Sequence, residues 1–446
     1  MTDAHQELES AAEVEPAHWR RNITLFLSGQ TVSLLGSMLV QYAVLWYLTL
    51  TYKDGIVVAL TVIFGFVPQA IVSIFGGVWA DRMNRKALII AADSSIAAAT
   101  LTLALLMASG NDALWLIYAA LAVRSVGAGI QTPAVAALVP QLVPVSKLLR
   151  VNGINGSIQG AMMLVAPPVA ALLYATVELE HILMIDVATA IVGIAFLLAI
   201  PVARIVRSSE EPTGYFEDLK DGMRYIRDHT FVRWLFLLFA VVMLFASAPS
   251  FLSPLMIARS FGEEVWKLTA LEVSFAVGMM LGGGLIAAVG QKFSRMSLIL
   301  GSLGIMAVLT VGMGLSPTLW VFLTMMFLVG VFIPAFNTPS MTVVQEVVEP
   351  ERHGRVFGFW GIVGAVAMPA GMVIFGPAAQ VITVEAVMVI AGLLMIAALV
   401  VAITVPAGRR ALAQARISTD PLAHGAPAPG EAADAAEESA EAPEKP

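Results

Sequence analysis

"GGVWADRMNRK", residues 76–86, closes a long apolar run with one acid and three bases and no obvious partner for them. The apolar stretch behind it, 56–80, has the ~20 residues an α-helix needs to cross about 30 Å of hydrocarbon. A charge cluster abutting such a stretch marks the end of a membrane span. Working outward with the same length criterion divides the chain into twelve spans. Six come first, at 22–50, 56–80, 87–108, 113–139, 148–175 and 182–203. A polar interval follows, and six more lie at 231–258, 265–289, 297–315, 317–345, 357–381 and 385–405.

Composition agrees with this division. Of 446 residues 58% are hydrophobic and 13% charged, and the mean hydropathy is +0.84, values that belong to integral membrane proteins. There is no cysteine, which excludes disulfides, thiolate nucleophiles and cysteine metal sites, and the six histidines are too scattered to suggest a ligand cluster. Neither a metal nor a cofactor is expected. The polar first twenty or so residues lack the basic start and apolar core of a cleavable signal, so the first span is expected to stay in the mature protein.

Charge asymmetry sets the orientation. If the N-terminus is cytoplasmic, the inner segments hold 21 of the 25 Lys and Arg residues, while the outer loops keep Lys53, Arg259 and Lys267. Both termini are therefore expected in the cytoplasm of a plasma or inner membrane protein. The domain reading is a cytoplasmic tail at 1–21, a six-helix bundle at 22–203, a central cytoplasmic loop at 204–230, a second bundle at 231–405 and a disordered tail at 406–446. The last tail, rich in Ala, Pro and Glu, has no apolar face.

The two bundles repeat each other. "LVPQLVPVSKLLRVNG" (138–153) aligns without gaps on "VVQEVVEPERHGRVFG" (343–358), each between the fourth and fifth spans of its half. Arg150 falls on Arg355 and Gly153 on Gly358. Halves with the same polarity are parallel repeats, related by an axis along the membrane normal.

This all-α architecture of twelve transmembrane helices in two parallel six-helix repeats resembles the major facilitator superfamily. The opening stretch carries the sharpest match: Gly77, Asp81, Arg82, Arg85 and Lys86 stand at the positions of the family motif G-x-x-x-D-R-x-x-R-[RK] between the second and third spans. "SGQTVSLLGSMLVQYAVLWYL", "DLKDGMRYIRDH" and "VVEPERHGRVFG" are similar to the drug/proton antiporter group that includes macrolide-efflux proteins and siderophore exporters. "LAVRSVGAGIQTP" supplies the arginine and glycines of a second family motif as Arg124, Gly127 and Gly129. The antiporter motif G-P-x-x-G-G is met only in part, with Ala166, Pro167, Ala170 and Ala171 in its places.

The resemblance implies alternating access, protons and an amphiphilic small molecule as partners, and a latch in which Asp81 meets the start of the eleventh span near Arg355. The repeat counterpart of the opening stretch, "GGGLIAAVGQKFSR" (282–295), keeps glycines and bases but has no acid, so the latch is one-sided.

Coupling requires ionisable groups at membrane depth, which are costly there unless they face a partner or a cavity. Arg124 is about eleven residues into its span, roughly 16 Å at 1.5 Å per residue, and cannot discharge at ordinary pH. It is expected to hold a carboxylate ionised, or else to be structural. Asp93, Asp186 and Glu272 are the candidate carboxylates; a capping role is the alternative for Asp186 and a pairing with the basic loop for Asp93. Glu272 has no cation within one turn of its own helix. Glu346 is expected to join an inner charge network with Arg352 or Arg355. Gln30, Gln41, Asn155, Gln159, Asn337 and Phe336 are the candidate substrate contacts.

The favoured reading is a proton-coupled exporter of macrolide-like amphiphiles, acting as a monomer with lipid around it and no nucleic acid partner. A uniporter or importer of a small nutrient is the alternative, and a non-transporting membrane protein a third. No enzyme is expected: Walker A is absent, and only His181 lies near the bilayer, at its outer boundary.

Overall fold

The computed structural model describes residues 18–202, 215–349, 352–405 and 409; within its helices the side chains of Asp81, Val145, 215–221, Gly354 and Arg355 lie outside the described set. The described residues form helices α1 (Trp19–Tyr52), α2 (Gly55–Arg82), α3 (Arg85–Ala108), α4 (Leu114–Leu142), α5 (Leu148–Thr176) and α6 (Leu179–Leu198). After a polar interval come α7 (Tyr215–Asp228), α8 (Thr230–Phe251), α9 (Val265–Val289), α10 (Arg295–Gly314), α11 (Leu319–Val347), α12 (His353–Val381) and α13 (Val384–Thr404). Twelve of these are long and apolar enough to cross a membrane, and no strand occurs among the described residues. Only helices satisfy their own backbone groups in hydrocarbon, so this outcome follows from the composition.

Tight turns between spans are set by local chemistry. Asp54 accepts from the backbone N–H of Ile56 and Val57 to cap α2, and Asn84 accepts from Ala87 N–H to cap α3. Each cap follows its preceding helix within two residues, which forces antiparallel neighbours.

The repeat is visible in the helix ends. α4 and α11 stop at Leu142 and Val347, and α5 and α12 start at Leu148 and His353, in the same register as the sequence alignment. The same helix pairs touch in each half: first with sixth, second with fourth, and third with both fourth and sixth. Between halves, α2 packs on α12 and α5 on α9.

The central interval differs from the loop expected at 204–230. Its second part is the helix α7, because Tyr215, Phe216, Leu219, Met223 and Ile226 recur at three- and four-residue spacing. Ile226 is buried against α8 and α12, and the Arg352 guanidinium lies 4.9 Å from the Tyr225 ring centre. Residues 1–17 and the tail beyond 409 lie outside the described residues, as does 203–214.

The core is shared at one face and divided at the other. At the face opposite the basic loops a single cluster joins both halves, from Leu39, Val40 and Val58 to Leu252, Leu268 and Met372. At the basic face each half keeps its own cluster, one around Phe26, Ile89 and Leu138 and one around Phe231, Leu303 and Val344. Apolar burial, worth about 25 cal/mol per Å², therefore holds the halves together at one end only. The cleft between them opens at the basic face.

Candidate functional site

Two polar layers cross the first half. In the upper layer Arg124, on α4, donates from Nη1 to Asp186 Oδ2 of α6 and to Thr100 Oγ1 of α3. Ser37 Oγ of α1 donates to the other carboxylate oxygen at 3.2 Å. Asp186 is 1% exposed, and four helices meet on it. It stands two turns into α6 with an arginine as partner, which corrects the capping alternative. An always-charged guanidinium beside a buried carboxylate holds the pair together, since stranding either charge costs several kcal/mol.

In the lower layer Asp93 of α3, 3% exposed, accepts from Gln131 Nε2 of α4. Asp93 is thus not paired with the neighbouring basic loop. The layers share a register: Gln131 is seven residues after Arg124, and Asp93 seven before Thr100, on antiparallel helices. Gln131 escaped the sequence reading, although its place two turns beyond Arg124 puts it on the same helix face. An amide can donate to a carboxylate or accept from a carboxylic acid, so Gln131 fits both protonation states of Asp93.

Glu272, eighth residue of α9, has a different setting. It makes no hydrogen bond or ion pair among the described residues and lies close enough to Tyr42 of α1, in the other half, to interact electrostatically. The nearest base in sequence is engaged elsewhere: Lys267 pairs with Glu264 at 2.6 Å and donates to Phe261 O. Of the three candidate acids, Asp186 alone pairs with a cation among the described residues.

The remaining candidates are spread over the cleft helices. Gln30 and Asn155 are half-buried, while Gln41, Gln159 and Asn337 are exposed, and none of the five makes a side-chain hydrogen bond among the described residues. Phe336 is a correction to the expected substrate contact: it is 2% exposed, stacks on Phe239 with ring centres 6.3 Å apart and belongs to the second half's core.

In the motif loop, Arg85 donates to Ala80 O at 3.0 Å, and Lys86 donates to Leu198 O and Ile200 O at 3.0 and 2.7 Å. Both bases satisfy helix-end carbonyls inside the first half. Arg82 is exposed, and a Cβ at Gly77 would meet nothing within 4 Å. The side chains of Asp81 and Arg355, the two ends of the expected latch, lie outside the described residues. Glu346 pairs with Arg295 rather than with Arg352, whose partner is Glu349 at 3.1 Å. The turn into α6 also brings Glu178, Glu180 and His181 within 4.8 Å of one another, a grouping that scattered histidines did not suggest.

The profile of the transmembrane secretion effector family matches residues 21–426. Macrolide efflux protein A of Streptococcus pyogenes is 30% identical over 363 residues, covering 80% of this chain and 89% of that one. Its namesake from Enterococcus faecalis is 31% identical over 311 residues, 69% of this chain and 96% of the relative. Among solved structures, a bacterial homologue of the lysosomal transporter Spinster, inward-facing and unoccupied, superposes with a TM-score of 0.64 at 14% identity, covering 90% of this chain and 97% of that one. A bacterial homologue of the iron transporter ferroportin, also inward-facing, gives 0.65 at 16% identity over 85% and 98%. At such identities the likeness shows the fold. By the family match and the macrolide-efflux relatives, the chain belongs to the transmembrane secretion effector family of the major facilitator superfamily and is a multi-pass membrane transporter of a small molecule.

Proposed function

We propose that the protein exports amphiphilic, macrolide-like small molecules in exchange for protons, and that Glu272 and Asp93 carry the protons. The observation that supports this is the charge inventory at membrane depth: Asp186 is neutralised by Arg124, whereas Asp93 has only an amide and Glu272 no polar partner among the described residues. A buried carboxylate without a cation is held at a cost of several kcal/mol, and binding a proton removes that cost. Arg124 serves to pair Asp186 and hold four helices in register. The basic loops support an open face in the cytoplasm, with both termini there and substrate entering from the cell interior or inner leaflet. Gln30, Gln41, Asn155, Gln159 and Asn337 then face water in the cleft. The halves 22–203 and 231–405 rock as bundles in a monomer, and Asp81 and Arg355 meet at the start of α12 when the cytoplasmic side closes.

The relatives' macrolide efflux is the basis for the substrate class. The test is reconstitution in liposomes with an imposed proton gradient and a panel of macrolides. Proton-driven macrolide movement that Glu272→Gln abolishes supports the reading; movement indifferent to the gradient indicates a uniporter and sinks the coupling.

A further inference from the structure

The hydrogen bonds and ion pairs that join the two halves among the described residues converge on the turn "KDG", residues 53–55, between α1 and α2. Arg259, in the π-helical turn Ile257–Phe261 that continues beyond α8 and the short turn Ser253–Met256, donates from Nε and Nη2 to the Lys53 carbonyl at 3.0 and 2.6 Å. Its Nη1 donates at 2.6 Å to the Ala379 carbonyl in the last turn of α12. The Lys53 ammonium pairs with Glu263. Two residues on, α2 begins at Gly55, where a Cβ would stand 2.3 Å from the Gly376 carbonyl of α12.

Each part of this arrangement has a physical reason. Lys53 caps α1 with a left-handed backbone, φ 48°, a conformation that costs a non-glycine residue free energy and turns its carbonyl out of the helix. Ala379 O belongs to the terminal carbonyls of α12 that have no partner within the helix. One planar guanidinium reaches both, and charge-assisted bonds to carbonyls are stronger than neutral ones. The Arg259 segment is itself fixed, by Ser260 bonding Glu385 of α13 and by Gly262 at φ 116°. Lys53 and Glu263 are exposed, so their ion pair adds little in water; the carbonyl clamp and the glycine contact carry the closure.

We propose that Arg259 is the residue that closes the outer end of the transport path, using Lys53 O and the Gly55/Gly376 contact as its seat, and that its release lets the face opposite the basic loops open. Arg259 acts on transport by positioning the two halves and touches no substrate. It is the counterpart, at the other end of the same helices, of the loop motif 77–86. Arg259→Ala and Gly55→Ala both bias the protein toward the state with that face open; Lys53→Gly keeps the left-handed turn and its carbonyl and has the smallest effect.

The chain has no cysteine, so label pairs can be introduced cleanly. Spin labels at Asp112→Cys and Thr318→Cys report the closed face, and labels at Leu149→Cys and Phe293→Cys report the open face, all four positions being exposed. Pulsed dipolar distances are measured on purified protein in nanodiscs, without substrate or gradient. With Arg259→Ala the expected result is reciprocal: a longer-distance population on the closed face grows several-fold while a shorter-distance population grows on the open face. Unchanged distances on both faces, or broadening on both together, overturn the proposal, since simple loosening does not move the faces in opposite directions. Arg259→Lys, which cannot reach both carbonyls, is expected to lie between wild type and Arg259→Ala. Because the readout involves neither protons nor macrolides, it stands apart from the export reading.

Discussion

Arg124 and Asp186 lie 62 positions apart in the chain and form a buried ion pair on which α1, α3, α4 and α6 converge. The pair is a structural rivet of the first half. It ties together four helices that are far apart in sequence.

Arg124→Ala strands the Asp186 charge at 1% exposure and is expected to cost about 3–5 kcal/mol, as for other buried pairs broken from one side. Thermal unfolding in detergent and yield of monodisperse protein measure it. The double change Arg124→Gln with Asp186→Asn leaves no stranded charge and is expected to recover most of the loss. A single variant as stable as wild type would mean the pair bears no load.

Glu272→Gln and Asp93→Asn replace acids that have no cation partner among the described residues, so both are expected to fold as well as wild type and to lose substrate-driven proton uptake. Proton flux in liposomes, read with a pH dye, checks this. Full flux in both variants would remove these residues from the coupling.

Gly76 and Gly77 differ in a way that separates folding from transport. A Cβ at Gly76 would sit 2.5 Å from Gly129 O of α4, so Gly76→Ala forces α2 from α4 and is expected to cost about 1–3 kcal/mol. At Gly77 a Cβ meets nothing, and Gly77→Ala is expected to leave stability unchanged. If the basic face closes on this motif, Gly77→Ala and Asp81→Asn nevertheless lower transport. Normal rates in both, with normal membrane insertion, count against the latch.

His229 caps α8 by accepting from Val232 N–H at its Nδ1, 3.3 Å away, which requires an unprotonated ring nitrogen. Burial lowers its pKa from the usual 6.5, opposed by the nearby Glu349 carboxylate. The folded state thus resists protonation, so the cap's contribution is complete above about pH 6.5 and is lost as pH falls through the lowered value. His229→Ala is expected to cost about 1 kcal/mol at pH 8 and less at pH 5, measured by unfolding at the two values; His229→Asn, also a good cap, removes the pH dependence.

Much of the fold was legible because membrane spans are specified locally. Hydrocarbon demands long apolar helices wherever the chain crosses, and the register of the 138–153 and 343–358 repeat carried through to identical helix ends. The amphipathic α7 was missed because its polar surroundings hid a spacing of only a few apolar residues. Arg124, Asp93, Asp186 and Glu272 were visible as rare ionisable groups at depth, but a single sequence gives no sign of who faces whom. Gln131 went unnoticed for the same reason, being remarkable only once Asp93 lies opposite.

The sequence by itself determined that this is a twelve-helix membrane transporter of two parallel halves, because hydropathy, basic loops and a family motif are properties of contiguous residues. Only the tertiary structure decided that Asp186 belongs to Arg124, that Glu272 has no cation partner among the described residues, and that the hydrogen bonds joining the halves among those residues gather at Lys53 and Arg259 while each half keeps its own core at the basic face. Those relationships depend on packing between helices far apart in the chain, where the cost of an unpaired charge and the room left by a missing Cβ are set by the neighbour and not by the residue itself.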